Sequence, residues 1–111
     1  MIVNDKINLN PPSGTISSSD KVGAGVVLPI RAASIMFTVN TTGAITVDIQ
    51  MSPNGTDWYA VSALGGALSG DVAKSISNQD HLFQYIRAVY RINGGTGTCT
   101  ECSIHFRNSK Q

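Results

Sequence analysis

The amino-acid sequence predicts an all-β protein, and three observations lead to that fold class. Apolar and polar side chains alternate with a period of two in residues 35–40, with Met36 as the exception, and again in residues 45–51, which is typical of strands with one buried face. Gly, Ser, Thr and Asn contribute 11, 12, 9 and 8 of the 111 residues, whereas charged residues make up only 14%. Small neutral groups therefore build the turns and strand faces, and this composition disfavours a helical bundle or a charged, disordered chain.

The length of the chain indicates one domain, and its 41% apolar content can supply one hydrophobic core. About eight short strands in a chain of this size close as an antiparallel β-sandwich or jelly roll, which buries two inward faces and limits free edges. We therefore predict an extended N-terminal arm over residues 1–25 and a β-sandwich domain over residues 26–111.

The N-terminal segment is predicted to be an arm because short apolar pairs alternate with Asn, Ser and Gly, and because Pro11-Pro12 favours polyproline geometry. Such a segment is too polar to form a core by itself. We expect it to become ordered on a neighbouring subunit. The apolar residues expected to anchor this partner-binding arm are Ile2, Val3, Ile7 and Leu9. The alternative is a frayed terminus without a role.

The two alternating segments predict an antiparallel hairpin. Ile35, Phe37 and Val39 share one face of the first segment, and the apolar residues of segment 45–51 share one face of the second. Between them, Thr41-Thr42-Gly43 is interpreted as a short turn.

The stretch "QMSPNGTDWYAV" then predicts a second bend. Pro53 fixes its own φ, and Asn54-Gly55 readily takes positive φ, so the chain can reverse within a few residues. Trp58 and Tyr59 begin the return strand, and we expect these aromatic residues to lock it onto the core.

Three more strands are predicted in the C-terminal half. A weak strand is expected near residues 72–76 and a final one over residues 98–107. The run "HLFQYIRAVYRI" also suits a helix, but we favour a strand because Arg87 and Arg91 alternate with apolar residues and because "NGG" leads into another strand pattern.

The two cysteines have the spacing of a CxxC motif, but the motif stands alone. A zinc site needs further ligands, and His81 and His105 form no recognisable second pair. If the strand is regular, Cys99 and Cys102 point to opposite faces. Two structural thiols, a local or intersubunit disulfide, and a metal site remain the alternatives.

No other pattern predicts catalysis or a cofactor. The run "NGGTGT" lacks the GK[ST] ending of a phosphate loop, and a hairpin loop explains it. No sequence pattern ties His81, beside Asp80, to a nucleophile. An aromatic platform of Trp58 and the tyrosines would suit a sugar or a single-stranded nucleic acid, but with 6% aromatic residues a core role is favoured.

Charge and hydropathy narrow the range of partners. A formal net charge of +1 gives no overall attraction to nucleic acid or to an anionic membrane. No stretch approaches the roughly 18 apolar residues of a membrane span, and the N-terminus lacks the pattern of a signal peptide. We expect a protein that is made and kept in a cytoplasm.

The stretch "ITVDIQMSPNGTDWYAVSA", with "YIRAVYRINGG" downstream, resembles a β-sandwich module of virion proteins in tailed bacteriophages. These modules pair an S-x-D/N-G-T-x-W hairpin with an aromatic-Ile/Val-Arg strand. The resemblance covers residues 34–107. It implies a part of a virus particle and transfers no catalytic residue, cofactor or metal site.

The resemblance implies a capsid decoration or cement protein, which binds the outer surface of a phage head and stabilises contacts between major capsid subunits. Its partner would be the major capsid protein, and its copies would form a homo-oligomer, with a trimer as the arrangement that the resemblance suggests. It would be located in the virion, assembled in the host cytoplasm, without a nucleic acid, membrane or small-molecule partner. The alternatives are a head-tail connector or tail component and, in another class, a carbohydrate-binding adhesion module that uses Trp58 and Tyr59.

Overall fold

A computed structural model describes residues 2–17, 19–27, 32–61, 64–77 and 84–109. Within these ranges the chain forms one antiparallel sheet of eight strands and no α-helix, so the all-β prediction is confirmed. The sandwich or jelly-roll architecture stays a prediction. The strands are β1 (Ile2–Asn8), β2 (Thr15–Ile16), β3 (Lys21–Val22), β4 (Val26–Val27), β5 (Ala32–Ser52), β6 (Tyr59–Ala60), β7 (Asp71–Ser77) and β8 (Tyr85–Ser109). None of the described segments is a helix of the length and apolarity that a membrane crossing requires.

Two long strands, β5 and β8, organise the sheet. They pair with each other from one end to the other, with Ala32 opposite Asn108 and Ser52 opposite Tyr85. At one end of this ribbon, β7 pairs with β5 and β1 pairs with β8. At the other end, β6 pairs with β5, and β3 and β4 pair with β8. The ribbon therefore carries a different group of edge strands at each end.

The turn predicted at residues 41–43 is wrong, because β5 continues through it. The pairing of β5 with β8 shifts register between Asn40 and Thr41 and again between Gly43 and Ile45. In β8, residues 93–96 are the extra residues opposite the second shift, so "NGGTGT" is an irregular part of β8 rather than a hairpin loop. Glycine with positive φ serves a bulge as well as a turn, and the local sequence does not distinguish them.

At this irregularity the two backbones approach each other closely. Gly43 has a φ of 70°, and a Cβ there would collide with the carbonyl oxygen of Thr96. Gly97 faces the same restriction from the carbonyl oxygen of Thr42. Both glycines are therefore required by the contact between β5 and β8.

The other strand predictions in the described residues are confirmed. Residues 35, 37 and 39, and then residues 45, 47, 49 and 51, are buried in one core, as the period of two predicts. The weak strand near residues 72–76 is β7, and the final predicted strand is part of β8. The run that also suits a helix is a strand from Tyr85 onward, and residues 78–83 lie outside the described residues.

The N-terminal segment is extended, as predicted, but it contributes to the chain's own core. β1 pairs with the end of β8 over seven residues. Leu9 and Ile16 are fully buried, and the backbone N–H of Leu9 donates to the carbonyl of Cys102 at 2.8 Å. The segment thus forms no core by itself, but these two residues join the core of the sheet. An isolated apolar residue is buried when a distant strand supplies the surface that it covers.

The close approach at Gly43 predicts a large effect of one methyl group. We expect Gly43→Ala to lower the free energy of unfolding by about 3 kcal/mol or more, because left-handed φ and overpacking both oppose a Cβ. Gly94 is the matched control: its φ is 80° and nothing lies within 4 Å of a Cβ placed there. Gly94→Ala should cost about 1 kcal/mol. Urea denaturation measures both, and equal losses would contradict the close approach.

Candidate protein-binding face

The N-terminal part of β8 separates the core from a solvent-facing surface. Ile86, Ala88 and Tyr90 are buried in the core, so Arg87 and Arg91, which alternate with them, lie on the opposite side of the sheet. Residues directly opposite each other in an antiparallel pair share a face, which extends this surface onto the neighbouring strands. We call it the outer face; its residues are Val22, Val27, Asp48, Gln50, Trp58, Tyr85, Arg87, Val89 and Arg91, of which Val89 is buried.

The loop between β5 and β6 is closed by its own polar side chains. The buried hydroxyl of Ser52 accepts hydrogen bonds from the backbone N–H groups of Asn54 (3.2 Å) and Gly55 (2.8 Å). The side-chain oxygen of Asn54 accepts from the N–H groups of Thr56 and Asp57, each at 2.9 Å. The Asn54 amide also donates to the Asp57 carboxylate at 2.7 Å. The predicted bend is thus confirmed, with a network that fixes the chain just before β6.

Trp58 follows this loop and lies across the outer face. Its ring centroid is 4.3 Å from Cζ of Arg87, a cation–π stack. A Cβ built on Gly25 would lie 3.1 Å from Cη2 of the same ring. Arg87 makes a second contact as well: its Nε donates to Oε1 of Gln50 at 2.8 Å.

The structure corrects the core position expected for the two aromatic residues. Trp58 is half-buried on the outer face, and Tyr59 is 59% exposed. Tyr59 lies opposite Met51, whose side chain is buried, but β6 has only two residues at the rim of the sheet, and nothing there covers the tyrosine in the described part of the chain. Adjacent strand residues point to opposite faces, so the pair could not enter the core together.

The two arginines of the outer face differ in their ion pairs. Arg91 contacts Asp48 at 3.2 Å and Asp20 at 3.5 Å. Arg87 forms no ion pair with any carboxylate among the described side chains. Close to Arg87 in the sheet are Val22 and Val27, which are 59% and 54% exposed. Trp and Arg are among the residue types enriched in protein-binding hot spots, and the two valines add exposed apolar surface beside them.

A polar cluster lies at the other end of the sheet. The buried Ser103 hydroxyl donates to Oε2 of Glu101 at 2.7 Å, and Nζ of Lys6 lies 3.4 Å from the same oxygen. Oγ1 of Thr38 is 3.1 Å from Nε2 of His105. The hydrogen bond from Ser103 lowers the pKa of Glu101 most, and Lys6 acts in the same direction. Because the serine is buried, this cluster joins β1, β5 and β8 rather than offering a nucleophile.

Both cysteines are buried, free thiols on the core side of the sheet. The expectation of opposite faces is wrong, because the register shift between Asn40 and Thr41 leaves Thr100 without a partner in β5 and restores the inward direction for the next residues. Burial raises the pKa of Cys99 to about 11 and that of Cys102 to about 12. Such thiols are protonated at neutral pH and are poor nucleophiles.

No metal site is formed by the residues whose positions are described, since no three His, Cys, Asp or Glu side chains among them come together. His81 and its neighbour Asp80 lie outside the described residues. Among the predicted arm anchors, Leu9 is buried in the core and Ile7 packs against it, so neither is free for a partner in this conformation. The side chains of Ile2 and Val3 are not described, and the binding role of the arm stays a prediction.

Sequence analysis missed Arg87, Val22 and Val27 as members of a surface. The alternation in β8 shows on which face of the sheet the Arg87 side chain lies. Its contacts with Trp58 and Gln50, however, depend on the register between β5 and β8. Val22 and Val27 belong to strands of two residues, which are too short for a periodic signal.

Comparison with known proteins adds little to this description. No protein-family model matches the chain, and no curated protein matches it. A solved structure titled "Crystal structure of PirA" is 17% identical with a TM-score of 0.40, and the match covers 95% of this chain and 92% of that chain. At this TM-score the likeness carries no argument about fold or function.

The loop network predicts a specific role for Asn54. We expect Asn54→Ala to lower the free energy of unfolding by about 1 to 2 kcal/mol, because two backbone N–H groups lose their acceptor. Thr56→Ala is the control in the same loop, because its side chain is exposed; it should change stability by less than about 0.5 kcal/mol. Chemical denaturation followed by circular dichroism compares the two, and a similar effect of both would refute the role given to Asn54.

The contact between Glu101 and Ser103 predicts a pH dependence of stability. A carboxyl whose pKa is lowered by folding stabilises the protein above its ordinary pKa of 4.5, and this stabilisation is lost as the pH falls through the lower folded-state value. In Ser103→Ala the pKa of Glu101 should rise toward its ordinary value, and the loss of stability between about pH 7 and about pH 3 should be smaller than in the wild type. An NMR titration of Glu101 gives the pKa directly. Ser75→Ala, on the exposed part of β7, should keep the wild-type titration; an unchanged pKa in Ser103→Ala would be contrary to this account.

Proposed function

We propose that this protein is a structural virion protein of the capsid decoration type, which binds the outside of a phage head and strengthens contacts between major capsid subunits. The observation that carries the proposal is the stack of Arg87 on Trp58 at the surface, bordered by the exposed Val22 and Val27. Tryptophan and arginine dominate the energetics of protein interfaces, and a surface of this composition favours adhesion to another protein.

The sequence resemblance supports the same proposal, because its two motifs meet in space. The hairpin motif ends at Trp58, and the aromatic-Ile-Arg motif is Tyr85-Ile86-Arg87. The contact between them is the stack at the centre of the outer face. The residues that give the chain its likeness to phage virion modules are thus the ones that build the candidate binding surface.

The proposed mechanism is mass action. Each copy bridges neighbouring shell subunits, and many modest interfaces add up to a stable shell. A typical specific interface takes about 800 Å² from each partner, a modest share of the 6081 Å² that this chain exposes. Association of the copies with one another, as a trimer, is part of the proposal and comes from the resemblance. A head-tail connector or tail component is the related alternative, and the number of copies per virion separates it from a decoration protein.

A carbohydrate-binding adhesion module is the second candidate, and the exposure of Tyr59 favours it. An exposed tyrosine offers a ring on which a sugar can stack. A glycan array separates this candidate from the first: selective binding by the wild type that disappears in folded Trp58→Ala would favour the adhesion module.

Co-sedimentation with capsids, purified from the virus that encodes the chain, tests the main proposal. The wild type should co-sediment in many copies per capsid, and Trp58→Ala should weaken binding by about 2 kcal/mol, the size of a hot-spot effect. Lys74→Ala, on the exposed part of β7, is the control and should bind like the wild type. Circular dichroism shows whether Trp58→Ala is folded.

Absence of the chain from purified virions, or a wild type that stays in the supernatant, would refute the proposal. Truncation of residues 1–12 is a poor test of the arm, because it also removes Leu9 from the core and β1 from the sheet.

A further inference from the structure

We propose that Arg87 is the docking point for a carboxylate of the protein partner, an Asp or Glu side chain flanked by aliphatic residues. The identification of that partner as a capsid protein rests on the proposed function. The chemistry of the contact follows from the outer face itself.

The guanidinium of Arg87 is held in a fixed orientation. Its Nε donates to Oε1 of Gln50 at 2.8 Å, and its Cζ lies over the Trp58 ring, 4.3 Å from the centroid. The hydrogen bond to Gln50 uses the N–H group on Nε. The N–H groups on the two Nη atoms form the fork that matches the two oxygens of a carboxylate. Because the side chain is already positioned, little rotamer entropy remains to be lost on binding.

Arg87 differs from its neighbour in having no direct ion pair within the described residues. Arg91, four residues along the same strand, contacts both Asp20 and Asp48. Arg87 has no such partner among the described side chains, and Asp57, in the loop before Trp58, accepts instead from the Asn54 amide. A partner that presents a carboxylate at this point would give Arg87 a direct ion pair.

The surroundings of Arg87 indicate what should flank that carboxylate. Tyr85 precedes Arg87 on the same face of β8, and the exposed Val27 lies opposite it on β4. Val89 follows Arg87 but is buried, and the exposed Val22 lies opposite it on β3. Apolar groups around a central charge exclude water and strengthen the ion pair. Nucleic acid binding needs several free cations along its backbone, and the other arginine of the face is already paired. A protein surface with an acidic residue among aliphatic ones is therefore the occupant that fits.

Trp58 makes the inference directly measurable, because it is the chain's single tryptophan and its fluorescence reports on the stack. The probes are the blocked tripeptides acetyl-Val-Glu-Val-amide and acetyl-Val-Gln-Val-amide. A phosphoserine tripeptide, glucuronate and oligothymidylate are tested in the same way as ligands of other chemical classes. For the full-length protein we expect saturable binding of the Glu peptide in the millimolar range, about tenfold tighter than that of the Gln peptide, as for a charge-assisted bidentate hydrogen bond.

Three variants assign that preference to Arg87. Arg87→Gln should abolish the preference for Glu over Gln, and Arg87→Lys should reduce it, because an ammonium keeps the charge but loses the fork and the stack. Arg91→Gln removes the same charge from the same face and should keep the preference. Urea denaturation shows whether each variant is folded, and Arg87→Lys keeps the test valid if Arg87→Gln does not fold.

Several outcomes would overturn the inference: equal binding of the two peptides, no binding of either up to their solubility, an unaltered preference in both Arg87 variants, loss of the preference in Arg91→Gln, or tighter binding of phosphoserine, glucuronate or oligothymidylate. The test is independent of capsids. Preference for the Glu peptide without co-sedimentation would refute the decoration role and keep the carboxylate site, and co-sedimentation without the preference would do the reverse.

Discussion

The pairing of β5 with β8 is the interaction on which the rest of the structure depends, since every other strand hydrogen-bonds to one of these two. A two-stranded ribbon is at best marginally stable in water. Here the edge strands at each end and the shared core stabilise it. The register is also strongly specified, because a slip by one residue would move the buried side chains of β5 to the solvent side. The positions of Trp58 and Arg87 follow from that register.

The bulges within this pairing decide which residues reach the core. One of them occurs where Gly43 and Gly97 allow the backbones to approach each other, and another lies between Asn40 and Thr41. In β8 the register shift lets Cys99 and Cys102 lie on the same side, although a regular strand would separate them. Both thiols are consequently desolvated, and their raised pKa values follow from burial. The CxxC spacing of the cysteines and the apparent turn at residues 41–43 are therefore both parts of the irregular pairing between β5 and β8.

The sequence predicted what depends on near neighbours. The period of two identified the buried face of β5, the Asn54-Gly55 bend was correct, and the alternation around Arg87 favoured a strand over a helix. The errors concern contacts between distant residues. A glycine such as Gly43 serves a bulge or a turn, and only the partner strand decides between them. The burial of Leu9 and the stack on Trp58 likewise depend on β8, which no local pattern around those residues contains.

The stack of Arg87 on Trp58 is compatible with a purely structural role, so the loop itself must be considered. The hydroxyl of Ser52 and the amide of Asn54 close that loop through backbone and side-chain hydrogen bonds, and the core cluster does not contain Trp58. Neither the bend nor the core therefore requires a tryptophan at this position, and a smaller residue would leave less apolar surface in contact with water. The proposed interaction with a second protein accounts for a large ring kept at the surface beside an arginine, which the bend and the core do not require.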